Sequence, residues 1–92
     1  MMIEAIGSPA MLEQLAEEAT ELAQASLKVA RVLRKENPTP VTLSEACVKL
    51  LEEYTDVVQC ALELMIIPDC DQIAEKALLF KKRMEERKQG EK

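Results

Sequence analysis

The 92-residue chain is predicted to fold as an all-α antiparallel helical bundle, and three features of the sequence support this. Almost half of the residues are apolar, yet only Tyr54 and Phe80 are aromatic, while Ala, Leu, Glu and Lys dominate. The apolar residues recur at steps of three and four, which is the period of an amphipathic helix. Proline falls at the borders of these periodic stretches, and the short connections between them favour antiparallel neighbours.

The first helix is predicted over residues 8–36, after a short lead-in. Ser8 suits the N-cap of a helix, where its hydroxyl can accept a bond from a free backbone N–H. Pro9 suits the first helical position, because it has no N–H to leave unpaired there. The Asn-Pro-Thr-Pro sequence at 37–40 stops the helix, since a residue before proline avoids the helical conformation.

The second helix is predicted over residues 42–67. Thr42 and Glu45 form a capping box, in which each side chain can satisfy a backbone N–H of the other residue. The apolar stripe of this helix includes Tyr54, which is therefore expected to pack in the core rather than to stack on a base. Pro68 closes the helix.

The third helix is predicted over residues 69–88, with Asp69 as its cap. Its inner face is expected to consist of apolar residues at helical spacing, namely Ile73, Ala77, Phe80 and Met84. The three helices form one domain over residues 1–92. Because so short a chain is near the lower limit for an adequate core, we expect partner subunits to complete it in a homodimer or homotetramer.

Charge and cysteine content restrict the class of protein. Twelve basic and seventeen acidic residues give a net charge of −5, which argues against a nucleic-acid polymer as partner. The three cysteines show no CxxC spacing, so we expect reduced, buried thiols rather than disulfides or a zinc site. No signal peptide and no apolar run of membrane-spanning length is recognisable, which predicts a cytoplasmic protein without a membrane partner.

An internal repeat is the most informative feature of the sequence. Residues 17–27 align without gaps on residues 52–62, and five of the eleven columns are identical. In a sixth column, Asp56 replaces Glu21. The shared positions are mostly acidic, so the repeat preserves a polar function and not only an apolar stripe.

The repeat predicts a site for a hard divalent cation, built from Glu18, Glu21, Glu53 and Asp56. At about 100° per residue, the acids of both copies fall at matching angles along the border of the apolar stripe. Residues three apart on a helix are neighbours, so each helix can offer two carboxylates. Such a cluster suits Mg²⁺, or alternatively Mn²⁺. The competing interpretation is a purely structural duplication with solvated acidic faces.

The sequence Glu17-Glu18-Ala19-Thr20-Glu21 followed by Glu53-Tyr54-Thr55-Asp56 resembles the EExxE and ExxD motifs of the MazG-like all-α nucleoside triphosphate pyrophosphohydrolases. The resemblance extends from residue 11 to about residue 65. It implies Mg²⁺ binding by the last two acids of the first motif and both acids of the second. It also implies cleavage of a nucleoside triphosphate between its α and β phosphates, giving a monophosphate and pyrophosphate, in a dimer or tetramer.

Three further residues are candidates for roles in this reaction. Glu17 is a candidate for orienting or deprotonating the attacking water, although a surface acid fits its position equally well. Lys28 and Lys49 lie close to the acidic motifs along their helices, so either could bind substrate phosphate. For Lys49 the alternative is an ion pair with Glu53 or Glu52.

Two alternative functions are compatible with the sequence. The chain could be a non-enzymatic helical oligomerisation or regulatory module with no response to Mg²⁺. It could also be an enzyme of the same class that acts on a substrate such as phosphoribosyl-ATP, although the Tyr-His pair usual in those enzymes is missing. A ferritin-like di-iron site is excluded, because the chain contains no histidine.

Overall fold

The computed structural model describes residues 2–35 and 40–90 of the chain. Within these ranges the fold is all-helical, without a strand, which confirms the predicted class. The residues at 36–39, where the first helix was predicted to stop, lie outside the described ranges. The helices are α1 (Met2–Ile6), α2 (Ser8–Arg34), α3 (Leu43–Glu63) and α4 (Cys70–Gly90).

The start of the chain is helical, although the sequence predicted only a lead-in. Gly7 separates α1 from α2 with a φ of 85°, a conformation that glycine adopts without steric cost. Its N–H donates to the Ile3 carbonyl at 2.8 Å. Gly7, and not Ser8, is therefore the N-cap of α2, and no side chain caps this helix.

A buried acid connects α1 to the rest of the fold. The Oε1 atom of Glu63, near the end of α3, accepts a hydrogen bond from the backbone N–H of Met2 at 2.6 Å. The partners are 61 positions apart. No local pattern predicts such a contact, so α1 could not be predicted from the sequence.

The predicted start of α3 is confirmed, whereas its end differs. Thr42 Oγ1 accepts a hydrogen bond from the Glu45 N–H at 3.1 Å, as the capping box requires. The helix ends at Glu63 instead of residue 67, because Met65 adopts a left-handed φ of 58°. The Ile66 N–H then bonds back to the Ala61 carbonyl at 2.9 Å, which closes the last turn.

The α4 helix begins as predicted but buries none of its residues. The Oδ1 atom of Asp69 accepts the Gln72 N–H at 3.1 Å, which confirms the cap. All of residues 70–90 are exposed, because α4 projects away from the other helices in the single chain. The predicted inner face, Ile73, Ala77, Phe80 and Met84, is therefore not part of a core within one protomer.

The core lies between α2 and α3, which pack as an antiparallel hairpin. Its fully apolar part is small, and it consists of Met11, Ala25, Ala46 and Cys60. The two alanines allow the helix backbones to approach closely. Cys60 is buried as predicted, whereas Cys47 and Cys70 are exposed, contrary to the expectation of three buried thiols.

The face of α3 that points away from α2 is apolar and exposed. We call it the outer stripe; it follows one side of the helix and comprises Cys47, Leu51, Tyr54, Val58 and Leu62. Tyr54 is 55% exposed, so the prediction that it packs in the core is wrong for the single chain. The helical periodicity identified the apolar residues of α3 correctly. It does not show which of the two apolar faces of α3 packs against α2.

The single chain is more open than its length predicts. Its radius of gyration is 17.4 Å, against about 12 Å for a compact domain of this size. Its accessible surface is 7601 Å², against about 5,400 Å² for a compact monomer. In the part of the chain that the structure describes, no helix combines the length and apolar character that crossing a membrane requires.

Candidate metal centre and adjoining pocket

Three of the four predicted metal ligands meet between α2 and α3. One carboxylate oxygen from each of Glu18, Glu53 and Asp56 lies within 4.8 Å of the other two. Glu53 is only 5% exposed, Glu18 is half-buried and Asp56 is exposed. The group therefore has one side inside the hairpin and one side open to solvent.

The internal repeat explains why these acids meet. Glu18 and Glu53 are equivalent in the two copies, as are Glu21 and Asp56. Antiparallel packing brings the first acid of one copy towards the second acid of the other. Glu18 accordingly lies beside Asp56, and Glu21 lies beside Glu53. A duplicated motif in an antiparallel hairpin thus concentrates four carboxylates at one level of the helices.

Glu21, the fourth predicted ligand, is exposed beside the three-carboxylate group. Its pKa is raised above the ordinary value of 4.5, first by the charge of Glu18 and then by that of Glu53. Like charges this close disfavour full ionisation of the cluster. A bound cation would relieve the same repulsion.

Lys49 is the cation nearest to the buried acid. Its Nζ lies 2.8 Å from Glu53 Oε1 and 3.8 Å from a carboxylate oxygen of Glu52. The hydrogen bond from Lys49 lowers the pKa of Glu53 in spite of its burial, and the same bond raises the pKa of Lys49. The predicted ion pair is therefore present, and Lys49 still contributes to the wall of the adjoining pocket.

Two carboxylate oxygens in the group are buried without a hydrogen-bond partner. Glu18 binds Gln14 Nε2 through Oε1 at 2.8 Å, while its Oε2 is unpartnered. Glu53 binds Lys49 through Oε1, while its Oε2 is unpartnered. Each acid is thus held by one oxygen and leaves the other free. A buried carboxylate oxygen without a partner is costly, and a cation bound between the acids would relieve that cost.

The donor set fits a hard divalent cation. Carboxylate oxygens are the ligands that Mg²⁺ prefers, and opposite ligands around octahedral Mg²⁺ are about 4.2 Å apart. Neighbouring ligands are only about 3 Å apart, so oxygens of Glu18, Glu53 and Asp56 that lie within 4.8 Å of one another must move closer by up to about 2 Å to bind one ion. Gln14 and Lys49 supply the outer hydrogen bonds that commonly orient metal-binding carboxylates.

A pocket of about 520 Å³ adjoins the carboxylates along the same edge of the hairpin. Glu21 and Glu53 lie at its acidic end, where Lys49 is paired with Glu53, and Lys28 and Arg31 lie further along α2. Its lining consists of Glu21, Gln24, Ala25, Lys28, Arg31, Lys49 and Glu53. An acidic end that can hold a cation and a basic end that can bind an anion therefore lie in one cavity.

Lys28, which is predicted to bind phosphate, lines this pocket together with Arg31. Neither residue forms an ion pair within the described ranges. Arg31 was missed in the sequence analysis, although the signal was present: it follows Lys28 by three residues and so shares its face of α2.

Other polar residues of the repeat lie outside the cluster. Glu17 is exposed and belongs neither to the three-carboxylate group nor to the pocket lining. Thr20 and Thr55 donate their hydroxyls to the carbonyls of Ala16 and Leu51, at 3.0 and 2.8 Å. The two threonines therefore bond within their own helices. This local role explains why both copies of the repeat contain a threonine, and no role in the site is needed.

No protein-family model matches the chain, nor does any curated protein or solved structure. The likeness to the MazG-like enzymes accordingly rests on the acidic motifs.

Proposed function

We propose that the protein is a Mg²⁺-dependent nucleoside triphosphate pyrophosphohydrolase of the MazG-like type. One observation carries the proposal: the carboxylates of Glu18, Glu53 and Asp56 converge, and Glu18 and Glu53 each have a buried oxygen without a hydrogen-bond partner. The adjoining pocket, which Lys28 and Arg31 line, supports a phosphate-containing substrate. The EExxE and ExxD motifs support the same class of reaction.

Glu18, Glu53 and Asp56 would hold the ion, and Glu21 would complete the acidic set. Bound Mg²⁺ would supply electrostatic polarisation of the substrate phosphate and of a water molecule. Gln14 and Lys49 keep the carboxylates of Glu18 and Glu53 in fixed orientations through their hydrogen bonds. This preorganisation avoids reorganisation of the acids when substrate enters.

The basic end of the pocket would bind the phosphate chain. Lys28 and Arg31 lie towards the C-terminal end of α2 from Glu21, and long helical side chains lean back towards the N-terminus. Both cations can therefore reach towards the carboxylate end of the cavity. Arg31 can form a bidentate contact with a phosphate group, which favours substrates with several phosphates.

The reaction is an addition of water to the α phosphorus. The bond from this phosphorus to the oxygen bridging the α and β phosphates breaks, and pyrophosphate leaves together with a nucleoside monophosphate. Positioning and charge neutralisation dominate catalysis of such transfers. The role of Glu17 in orienting or deprotonating the water stays a prediction, since its side chain is exposed outside the pocket.

We also propose that the protein functions as a homodimer or homotetramer. The single chain exposes about 2,200 Å² more surface than a compact monomer of its length. A stable interface commonly covers about 800 Å² on each partner. The excess surface is therefore large enough for at least one extensive interface.

Pyrophosphate release tests the proposed reaction. The full chain is incubated with each of the common ribo- and deoxyribonucleoside triphosphates and with phosphoribosyl-ATP, in Mg²⁺ or in EDTA. We expect equimolar pyrophosphate and monophosphate in Mg²⁺ and none in EDTA. A folded, helical protein that releases no pyrophosphate from any of these compounds contradicts the enzymatic function.

The exposed apolar faces favour a second candidate, a non-enzymatic oligomerisation or regulatory module. That function predicts no thermal shift with Mg²⁺ and unchanged or greater stability in Glu18→Gln or Asp56→Asn. The metal site predicts a rise of the melting temperature with Mg²⁺ that either substitution abolishes. Differential scanning fluorimetry of the three proteins separates the two functions.

A further inference from the structure

The α4 helix carries an organised surface that nothing in its own chain covers. Its apolar stripe consists of Ile73, Ala77, Phe80 and Met84, which are all exposed. Phe80 is 65% and Ile73 is 56% exposed. An amphipathic helix of 21 residues is stable in water chiefly through packing of its apolar face, so this stripe needs a partner surface.

The charges of α4 are sorted around this stripe. At about 100° per residue, five of its six basic residues lie within about 100° of Phe80 on either side. Its four acidic residues all lie about 120° or more from Phe80. The flanking cations are Lys76, Lys81, Arg83, Arg87 and Lys88. A surface that receives α4 should therefore be apolar in the middle and acidic at its edge.

The hairpin of α2 and α3 offers such a surface on the outer stripe. An apolar groove of about 350 Å³ lies at one edge of this stripe, where Leu22 of α2 meets α3, and it is lined by Leu22, Cys47, Leu50, Leu51 and Tyr54. Glu45 and Glu52 are exposed along one edge, about 100–120° around α3 from Leu51. The outer stripe, from residue 47 to residue 62, is about 22 Å long, which is sufficient for the roughly 16 Å from Ile73 to Met84.

Overall charge agrees with this pairing. Residues 70–90 contain six basic and four acidic side chains, a net charge of +2. Residues 1–69 contain five basic and twelve acidic side chains, a net charge of −7. The hairpin therefore attracts α4, whereas it would be repelled by an anionic membrane, the other surface that basic amphipathic helices bind.

We propose that α4 of one protomer docks on the outer stripe of a second copy of the chain, with Phe80 in the apolar groove. The exchange covers two exposed apolar faces in each protomer, and the surplus surface of about 2,200 Å² exceeds what a stable interface needs. This docking rests on the self-association proposed above, but it requires neither Mg²⁺ nor hydrolysis.

Sedimentation velocity over a concentration series tests which face of α4 mediates association. Phe80→Asp is expected to raise the dissociation constant of the oligomer at least about 30-fold, as loss of a central interface residue does. Leu78→Asp is the matched control, because Leu78 is 69% exposed and lies about 160° from Phe80 on the same helix. Equal effects of the two substitutions, or a wild-type chain that stays monomeric, would overturn the proposal.

Cross-linking between two differently tagged copies tests whether docking occurs between chains. One copy keeps only Cys47, in the groove; the other has no native cysteine and carries Met84→Cys. A short bismaleimide is expected to join the two copies, whereas Leu78→Cys in place of Met84→Cys is not. Cross-links formed only within a chain that carries both cysteines would show that α4 folds back on its own hairpin and would refute exchange.

Flotation with vesicles that contain phosphatidylserine tests whether α4 binds a membrane instead of a second chain. The oligomer is expected to remain in solution on flotation, because its apolar stripes are covered. Flotation that depends on Phe80, together with a monomeric state in solution, would assign α4 to membranes and overturn the docking. A wild-type chain that stays monomeric but releases pyrophosphate would refute this inference alone, and a wild-type oligomer that releases no pyrophosphate would refute only the proposed reaction.

Discussion

On the side of α3 that faces α2, Glu53 and Glu63 are 5% and 7% exposed, whereas on the outer stripe Leu51 and Leu62 are 64% and 55% exposed. A surface helix of a globular protein normally buries its leucines and exposes its acids. The two faces of α3 therefore have different unmet requirements. The inner face brings together more carboxylates than Lys49 can neutralise, and the outer face needs a covering surface.

The hairpin is therefore not a complete folding unit by itself. Its fully buried apolar side chains are few and mostly small, so hydrophobic burial within one chain is limited. A cation on the inner face and a second protomer on the outer face would each add stability. Substitutions on one face should leave the response of the other face unchanged, which makes the comparison testable.

Glu53→Gln should produce the largest effect, because it removes the charge of the most buried acid in the cluster. Pyrophosphate release should fall at least about 100-fold, since even the outer hydrogen-bond partners of metal ligands are commonly worth 10- to 100-fold. The rise of the melting temperature with Mg²⁺ should disappear, while association measured by sedimentation persists. Glu52→Gln is the control, because Glu52 is exposed and contacts Lys49 only at 3.8 Å. An intact Mg²⁺ response in Glu53→Gln would contradict the site.

Leu51→Asp should weaken association through the outer stripe of α3 without affecting the carboxylate cluster on the inner face. A charge in the apolar groove should weaken association at least about 30-fold. The Mg²⁺-dependent thermal shift should remain, since Leu51 does not contribute to the carboxylate cluster. Leu27→Asp, on a leucine of α2 that is 60% exposed, is the matched control and should associate normally. Loss of the Mg²⁺ response in Leu51→Asp alone would show that the two faces are coupled.

The sequence predicted those parts of the fold that depend on local chemistry. The caps at Thr42 and Asp69 were found because their hydrogen bonds span only three residues. The end of α3 was misplaced because nothing in the sequence indicates the left-handed conformation of Met65. Likewise α1 was missed, since it is too short for a periodic pattern and bonds to the distant Glu63.

The candidate site was more predictable than the packing around it. The duplicated acids identified Glu18, Glu53 and Asp56, which antiparallel packing then brings together. Periodicity could not decide which face of α3 meets α2, because apolar residues occur on both. Tyr54 was therefore placed in the core, although within one chain it is half-exposed.

Arg31→Gln should have an intermediate effect, confined to the pocket on the inner side. Loss of one charge-assisted hydrogen bond to phosphate, worth about 1.5–3 kcal/mol, lowers kcat/KM by about 10- to 100-fold. Arg31→Lys should restore only part of the activity, because it lacks the bidentate fork. Arg34→Gln, one turn further along α2 and outside the pocket lining, is the control. Equal losses in the two glutamine variants would remove Arg31 from the substrate site.

The smallest expected effect concerns the pH dependence of stability without metal. The pKa of Glu21 is raised above 4.5 in the folded state by Glu18 and Glu53, so folding binds a proton more tightly. The melting temperature in EDTA should therefore rise as the pH is lowered through this raised pKa towards 4.5. The pKa of Glu53 is lowered by Lys49, so below 4.5 its protonation should reduce stability again. A thermal melt at each pH between 8 and 3 measures both limbs.

Glu21→Gln separates the two limbs of this profile. As the pH is lowered, the melting temperature of the variant should no longer rise above pH 4.5. It should still fall below pH 4.5, because Lys49 and Glu53 are unchanged. Glu17→Gln, on an exposed acid of the same helix turn, should retain both limbs. Saturating Mg²⁺ should also flatten the upper limb in the wild type, since a cation between the carboxylates removes the repulsion that raises the pKa of Glu21. If the upper limb is the same in Mg²⁺ and EDTA, the ion does not lie among these acids.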